Sequence, residues 1–217
     1  MQQIKESVGL KFNLINNGTE YEVVGIGDCK DVELVIPPVY NGKPVSSIGE
    51  RAFDENERIT SVIIPDSVVK ISRCAFSSCV WLENVHIGFN VAVIGDDAFY
   101  CCENISSITI PASVKVIGSN AFSFCYNLES VVFDDNAILE SFGNRAFRSC
   151  EVLKEIIIPN SVKTIGEEAF YLCSELSSII FNGTIDEWKA IAGKRFKWFF
   201  DADTNFVQCS DGKSKIE

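Results

Sequence analysis

Apolar positions in this 217-residue chain return on a long, fixed beat. The pair Ala-Phe stands at Ala52-Phe53, Ala75-Phe76, Ala98-Phe99, Ala121-Phe122, Ala146-Phe147 and Ala169-Phe170, 23 residues apart at every step but one, where the gap is 25. Three residues after each Phe come Asn56, Cys79, Cys102, Cys125, Cys150 and Cys173. Six after come Ile59, Leu82, Ile105, Leu128, Leu153 and Leu176. Apolar residues follow at nine (Val62, Val85, Ile108, Val131, Ile156, Ile179) and at eleven (Ile64, Ile87, Ile110, Phe133, Ile158, Phe181). A second apolar pair, such as Val68/Ile71 or Val114/Ile117, closes most repeats. A repeat of this size is one coil that cannot bury its own apolar face, so the pattern predicts a stack of coils with repeating columns.

The spacing within a repeat predicts its local structure. Ala, Phe and Cys at −1, 0 and +3 share one face of a short helical turn. Glu50, Asp96, Ser119 and Glu167 stand where such a turn opens and suit its positive start. The apolar steps at +9 and +11 have a period of two, that of a strand with one buried face. Pro65, Pro111 and Pro159 end the strand, because proline offers no amide hydrogen to a ladder. The 25-residue interval predicts a two-residue insertion in the turn Asp134 to Ile138, where it leaves the columns undisturbed.

The string Phe-x-x-Cys-x-x-Leu-x-x-Val-x-Ile-Pro-x-x-Val-x-x-Ile-Gly-x-x-Ala-Phe resembles the BspA-like (Treponema-type) leucine-rich repeat of bacterial and protist proteins, over about Pro37 to Gly183. The resemblance implies a right-handed β/α solenoid that binds proteins, often at a cell surface as an adhesin or host-contact module, without catalytic residues. The expected fold is therefore a leucine-rich-repeat superhelix, its short strands stacked as a parallel sheet with short helical turns, capped at both ends.

Residues 1–36 read as an N-terminal β-hairpin cap: Leu10 to Leu14 alternates, Asn17-Gly18 supplies the turn, and Tyr21 to Val23 alternates again. Residues 37–183 form the solenoid. Residues 184–217 read as a C-terminal cap, with a capping-box spacing at Thr184 to Glu187 and with Trp188, Ile191, Phe196, Trp198, Phe199 and Phe206-Val207 to seal the last coil. The three segments make one structural domain.

A formal net charge of −11 argues against nucleic acid and against an anionic membrane surface. No apolar stretch approaches the ~18 residues of a spanning helix. The segment Met1 to Glu6 lacks the apolar core of a signal peptide. The chain is therefore intracellular, part of a longer one, or exported by another route. Of nine cysteines, Cys79, Cys102, Cys125, Cys150 and Cys173 form one interior column, expected to stay reduced because parallel side chains ~4.8 Å apart suit a disulfide poorly. Cys29, Cys74, Cys101 and Cys209 lie off it and read as free thiols. A zinc site from Cys74, Cys79, Cys101 or Cys102 lacks a recognised ligand spacing.

No catalytic constellation emerges. His86, the single histidine, faces away from the core, whereas the column thiols face into it. Asp96-Asp97, Asp134-Asp135 and Asp201-x-Asp203 stand at turns, where carboxylates cap and solubilise, and none has calcium-loop spacing. The expectation is no enzyme, no cofactor and no metal.

Recognition is left to the outward strand columns. One comprises Ser61, Asn84, Ser107, Ser130, Glu155 and Ser178; the other comprises Ile63, His86, Thr109, Val132, Ile157 and Ile180. In-register stacking makes them two stripes roughly 25 Å long. An apolar stripe bordered by polar residues suits a protein or peptide partner, although β-branched residues also favour strands for their own sake. Trp81 and Phe124 add aromatic anchors at an edge or pack locally. Three readings follow for a monomer without nucleic acid or membrane insertion: a protein-interaction module, a structural spacer within a larger surface protein, or, more weakly, a glycan-binding ledge.

Overall fold

The computed structural model describes residues 5–192 and 206–215. The chain opens with an antiparallel hairpin, β1 (Lys11–Ile15) and β2 (Glu20–Gly25), followed by β3 (Glu33–Val35), β4 (Val39–Tyr40) and β5 (Lys43–Ile48). Each later coil contributes two short strands: β6 (Ser61–Ile63) and β7 (Lys70–Ile71), β8 (Asn84–His86) and β9 (Val93–Ile94), β10 (Ser107–Ile110) and β11 (Val116–Ile117). Then come β12 (Ser130–Phe133) and β13 (Ser141–Phe142), β14 (Glu155–Ile158) and β15 (Thr164–Ile165). The last coil gives β16 (Ser178–Phe181), helix α1 (Ile185–Ala192) and the hairpin β17 (Phe206–Cys209) and β18 (Gly212–Lys215).

Coils stack in parallel register at the repeat period. Ser107 pairs with Ser130, and Glu155 with Ser178. On the second side, Val93, Val116, Ser141 and Thr164 follow one another across β9, β11, β13 and β15. The turn after Phe133 absorbs the two extra residues through Ala137 N–H to Asp134 O and Ile138 N–H to Ala112 O, and the ladders on either side keep their register. The continuous sheet is this second one, running from β1 and β2 through β5 to β15. The strands that carry the outward columns form three shorter ladders, β3-β6-β8, β10-β12 and β14-β16-β17-β18, rather than one six-stranded sheet.

The core is a spine. Phe53, Phe76, Phe99, Phe122, Phe147 and Phe170 stack with centroids 5.0–5.7 Å apart and planes within 16° of parallel. The cysteine column lies beside it, and its residue type has a specific cause. Each Sγ–H donates to the carbonyl of the Phe one coil earlier: Cys79 to Phe53, Cys102 to Phe76, Cys125 to Phe99, Cys150 to Phe122 and Cys173 to Phe147, at 3.0–3.4 Å. A small apolar side chain with one weak donor satisfies a buried carbonyl there. Asn56 begins the column, where no Ala-Phe pair precedes its own, and its Oδ1 instead accepts from Arg58 N–H and Ile59 N–H.

The helical turn expected around each Ala-Phe pair is not a helix. Two left-handed residues flank every pair: Arg51, Cys74, Asp97, Asn120, Arg145 and Glu168 before it (φ 53–58°), and Glu55, Ser78, Cys101, Phe124, Ser149 and Leu172 after it (φ 54–62°). Amides then alternate. Ala52 N–H bonds within its coil to Gly49 O, while Phe53 N–H reaches Ala75 O in the next coil at 2.8 Å. A helix would direct all its amides along its own axis; this double turn directs half of them to the neighbour and so cements the stack. Asp96 and Asn144 accordingly bridge coils, accepting from Ser119 N–H and Glu167 N–H, rather than capping helix starts.

Both ends are covered. The hairpin β1/β2 joins the second sheet through β2 and β5, and Phe12 and Tyr40 stack at 3.9 Å beside Tyr21. Residues 1–36 hold more than this hairpin, because β3 is the first rung of the outward strand ladder, Glu33 pairing with Ser61. At the other end Thr184 and Glu187 exchange the reciprocal bonds of a capping box, and Trp188 packs on Phe181 at 5.5 Å. Phe196, Trp198 and Phe199 lie outside the described residues.

Candidate functional site

The alternation of each strand positions the outward columns: Val62, Ile108 and Ile156 point into the core, so the residues on either side of each point out. Asn84, His86, Ser107, Thr109, Ser130, Val132, Glu155 and Ile157 are exposed, whereas Ser61, Ile63, Ser178 and Ile180 are half-buried. The half-buried ones sit at the two ends for a structural reason. Ile180 is flanked by Gln208 of the added strand β17, and Ser61 and Ile63 line a groove of about 690 Å³ with Lys5, Val8 and Val35. In the centre, Val132 (52% exposed) and Ile157 (43%) share a depression of about 460 Å³ with Phe133, Asp134, Asp135 and Asn160.

The twelve positions thus form two aligned rows, interrupted in hydrogen bonding between β8 and β10 and between β12 and β14, although both pairs of strands lie side by side. The surface is apolar in patches and acidic at its rim. Asp134 and Asp135 edge the central depression, and Glu155 accepts from Ser178 Oγ at 2.7 Å. His86 meets Phe89 edge-on at 6.4 Å, and Phe89 is 64% exposed. Val35 and Gln208 continue the rows beside Ile63 and Ile180, Phe89 stands next to His86, and all three were missed from the sequence. Phe89 falls in a turn, and β3 and β17 stand outside the Ala-Phe period.

The other chemical candidates resolve into structure. Asp97 pairs with Arg73 at 3.7 Å and accepts from Asn120, tying adjacent coils. His86 is exposed and the ladder thiols are buried, so no thiol–imidazole pair forms. Asp201 and Asp203 lie outside the described residues. Among the described residues, no three His, Cys, Asp or Glu side chains gather as a metal-binding group, and no helix is long and apolar enough to cross a membrane. Trp81 is 56% exposed, and Phe124 belongs to a cluster with Tyr100 and Tyr126.

Burial governs the thiols. It pushes Cys79 up to about 12, and it raises Cys102, Cys125 and Cys150 as well. A thiol harder to ionise when folded stabilises the native state fully below its unfolded value; that contribution is lost as pH rises toward the folded one. The melting temperature is therefore expected to fall from about pH 9 upward, each of these four thiols contributing up to ~1.4 kcal/mol per pH unit. Thermal melts of Cys79→Ala beside the parent chain check this, and the variant should show the shallower decline above pH 9.

No curated protein matches the chain. Among solved structures it is similar to a T. pallidum leucine rich repeat protein (26% identity, TM-score 0.57, 81% of this chain and 71% of that one). A leucine rich cell surface protein from Faecalibacterium prausnitzii is 25% identical, with a TM-score of 0.59 over 100% of this chain and 60% of that one. The pneumococcal vaccine antigen PcpA is 26% identical, with a TM-score of 0.68 over 83% of this chain and 50% of that one. The chain thus spans between half and three-quarters of these neighbours' lengths. The family model described as the BspA type leucine rich repeat region matches in six copies, over residues 46–177 and 136–192. With the Phe spine, the cysteine column and the in-register coils, this establishes that the chain belongs to the BspA-type leucine-rich-repeat family, a generally non-catalytic group of interaction and scaffold proteins.

Proposed function

We propose that the protein is a non-catalytic interaction module that binds a protein or peptide across its outward strand rows. One observation carries this reading: Val132 and Ile157 stand exposed on adjacent strands at the floor of a depression rimmed by Asp134 and Asp135. Apolar area ringed by charge is the form of a specific contact surface. The acidic rim and the net charge of −11 favour a partner patch that is basic at its edge. Two similar structures, a cell surface protein of Faecalibacterium prausnitzii and a pneumococcal vaccine antigen, support a setting at the cell surface.

The test is a triple substitution, Ile63→Lys, Val132→Lys and Ile157→Lys, in a chain first shown to bind saturably a component of host matrix or of cytosol. These side chains lie outside the core, so the variant is expected to keep its melting temperature within a few degrees while losing binding more than tenfold. Saturable binding that survives the substitutions rejects the surface. The spacer reading, supported by the continuous sheet of the second side, requires no saturable partner in either extract.

A further inference from the structure

The continuous sheet of the second side ends differently at its two extremes. At the C-terminal extreme, helix α1 packs beside β15. The outward ladders are guarded as well. Ser7 N–H donates to Val35 O at 2.9 Å and Ser7 Oγ accepts from Val35 N–H at 3.0 Å, which covers β3. Lys213 and Lys215 stand exposed on β18, and charged side chains on an outermost strand hinder further pairing. The N-terminal extreme is β1, five residues of sequence Lys-Phe-Asn-Leu-Ile with a single charge. Among the described residues, β2 is the only strand paired with it. An outermost strand of this length and composition is a template for another strand.

Three features of β1 specify what pairs with it. The first is an uncovered apolar position. Phe12 and Leu14 share one face, opposite Val23 and Tyr21 of β2, while Lys11, Asn13 and Ile15 share the other. Val23 is buried and Phe12 stacks on Tyr40, yet Leu14 is 50% exposed. The irregularity between Lys11 and Phe12 places its extra residue, Val24, on β2, so β1 itself runs straight. The second feature is self-complementarity. Antiparallel pairing centred on Asn13 engages all five residues and sets Phe12 of each copy opposite Leu14 of the other, covering both leucines. A slip of one residue would set Leu14 against Asn13, the apolar face of one copy against the polar face of the other. The third feature is charge. The same register sets Lys11 of a second copy opposite Ile15, in the row that ends at Glu20 of β2. Glu20 accepts from Ser46 Oγ at 2.5 Å and from Asn16 Nδ2 at 2.6 Å, and these bonds hold its carboxyl below the usual range, fixed and negative. A two-fold axis repeats the approach of cation to carboxylate on the other side.

We propose that two copies of the chain join end to end through antiparallel pairing of β1 with β1, about a two-fold axis at Asn13. The contact is isologous: the same patch serves both copies, so the assembly closes at two. The second-side sheet then runs from one molecule into the other, and the dimer is a rod of twice the length with its C-terminal caps at the far ends. The extra strand supplies main-chain hydrogen bonds, Phe12 and Leu14 supply the apolar cover, and Lys11 with Glu20 disfavours the parallel arrangement, which would set Lys11 beside Lys11. The interface is separate from the strand rows and does not depend on their function.

The experiment is sedimentation of the full chain over a range of concentrations, joined to cysteine cross-linking. At about 100 µM the parent is expected at twice the 24.0 kDa chain mass, dissociating on dilution. Leu14→Lys, at an exposed position, is expected to sediment as a monomer with its melting temperature unchanged. Lys11→Glu is expected to weaken the dimer about tenfold, the difference shrinking at high salt. Ile157→Lys, on the strand rows, leaves the mass unchanged. Residues facing each other across an antiparallel pair have Cα atoms about 4.5–5.5 Å apart, within reach of a disulfide. Asn13→Cys is therefore expected to form a reducible covalent dimer under mild oxidation, whereas Glu57→Cys, exposed elsewhere, and the parent do not. A parent that stays monomeric at about 100 µM, a dimer that survives Leu14→Lys, or equal cross-linking by Glu57→Cys overturns the proposal. So does a series of masses beyond the dimer, which would mean a contact that does not close. A monomeric parent that loses melting temperature on Leu14→Lys shows that the chain covers its own edge, and it also overturns the proposal.

Discussion

Phe122→Ala is expected to lower unfolding stability by about 3–5 kcal/mol, the largest effect of any single truncation in this chain. Phe122 is fully buried and stacks at 5.3 Å on both Phe99 and Phe147, so its loss opens a void in the middle of the spine. The neighbouring rings cannot close it, because the Phe99, Phe122 and Phe147 amides are each held by the next coil at 2.8 Å. Thermal and denaturant unfolding check the value, and the melting temperature should drop by roughly 10 °C or more. Phe53, which among the described residues stacks on Phe76 alone, should cost less when truncated. Equal losses at the two positions would show that the rings act singly rather than as a column, against the nearest-neighbour energetics expected of a solenoid.

Gly143→Ala is the second large effect, at about 3 kcal/mol, and it acts through crowding rather than a void. A Cβ there would lie 2.3 Å from Ser119 N and 2.5 Å from the Gly118 carbonyl carbon, both backbone atoms. Gly143 N–H also donates to Ile117 O at 2.8 Å, so the coils cannot part without loosening that bond. Gly42→Ala is the control. Nothing lies within 4 Å of its Cβ position, and only its φ of +74° resists the change, at a cost nearer 1 kcal/mol. Chemical denaturation of both variants checks the ordering, which fails if the two cost the same. Ser72 takes this column's place in one coil.

The stacked columns were legible because one residue type, Phe, carries the period six times and because apolar burial tolerates few alternatives there. The double turn was not legible. Its left-handed positions hold Arg, Cys, Asp, Asn, Glu, Ser, Phe and Leu, so no glycine marks them, and their conformation follows from hydrogen bonds to the next coil. The outward rows could be read residue by residue from the strand alternation. Their division into three ladders could not, since side-chain pattern says nothing of where backbone pairing lapses. The aromatic cluster of Tyr100, Phe124 and Tyr126 escaped because its members occupy three different columns on two coils. Column-wise reading separates what stacking brings together.

The thiol-to-carbonyl bond recurs unchanged at five successive junctions, always from a Cys to the Phe one coil before. Interchangeable joints give this architecture no intrinsic length. Duplicating or excising a whole unit between two such joints would recreate the same interface, so a gene could grow or shrink by complete turns without redesigning a single contact. What would change is the reach of the molecule and the number of rungs it presents, which makes size itself a variable open to selection.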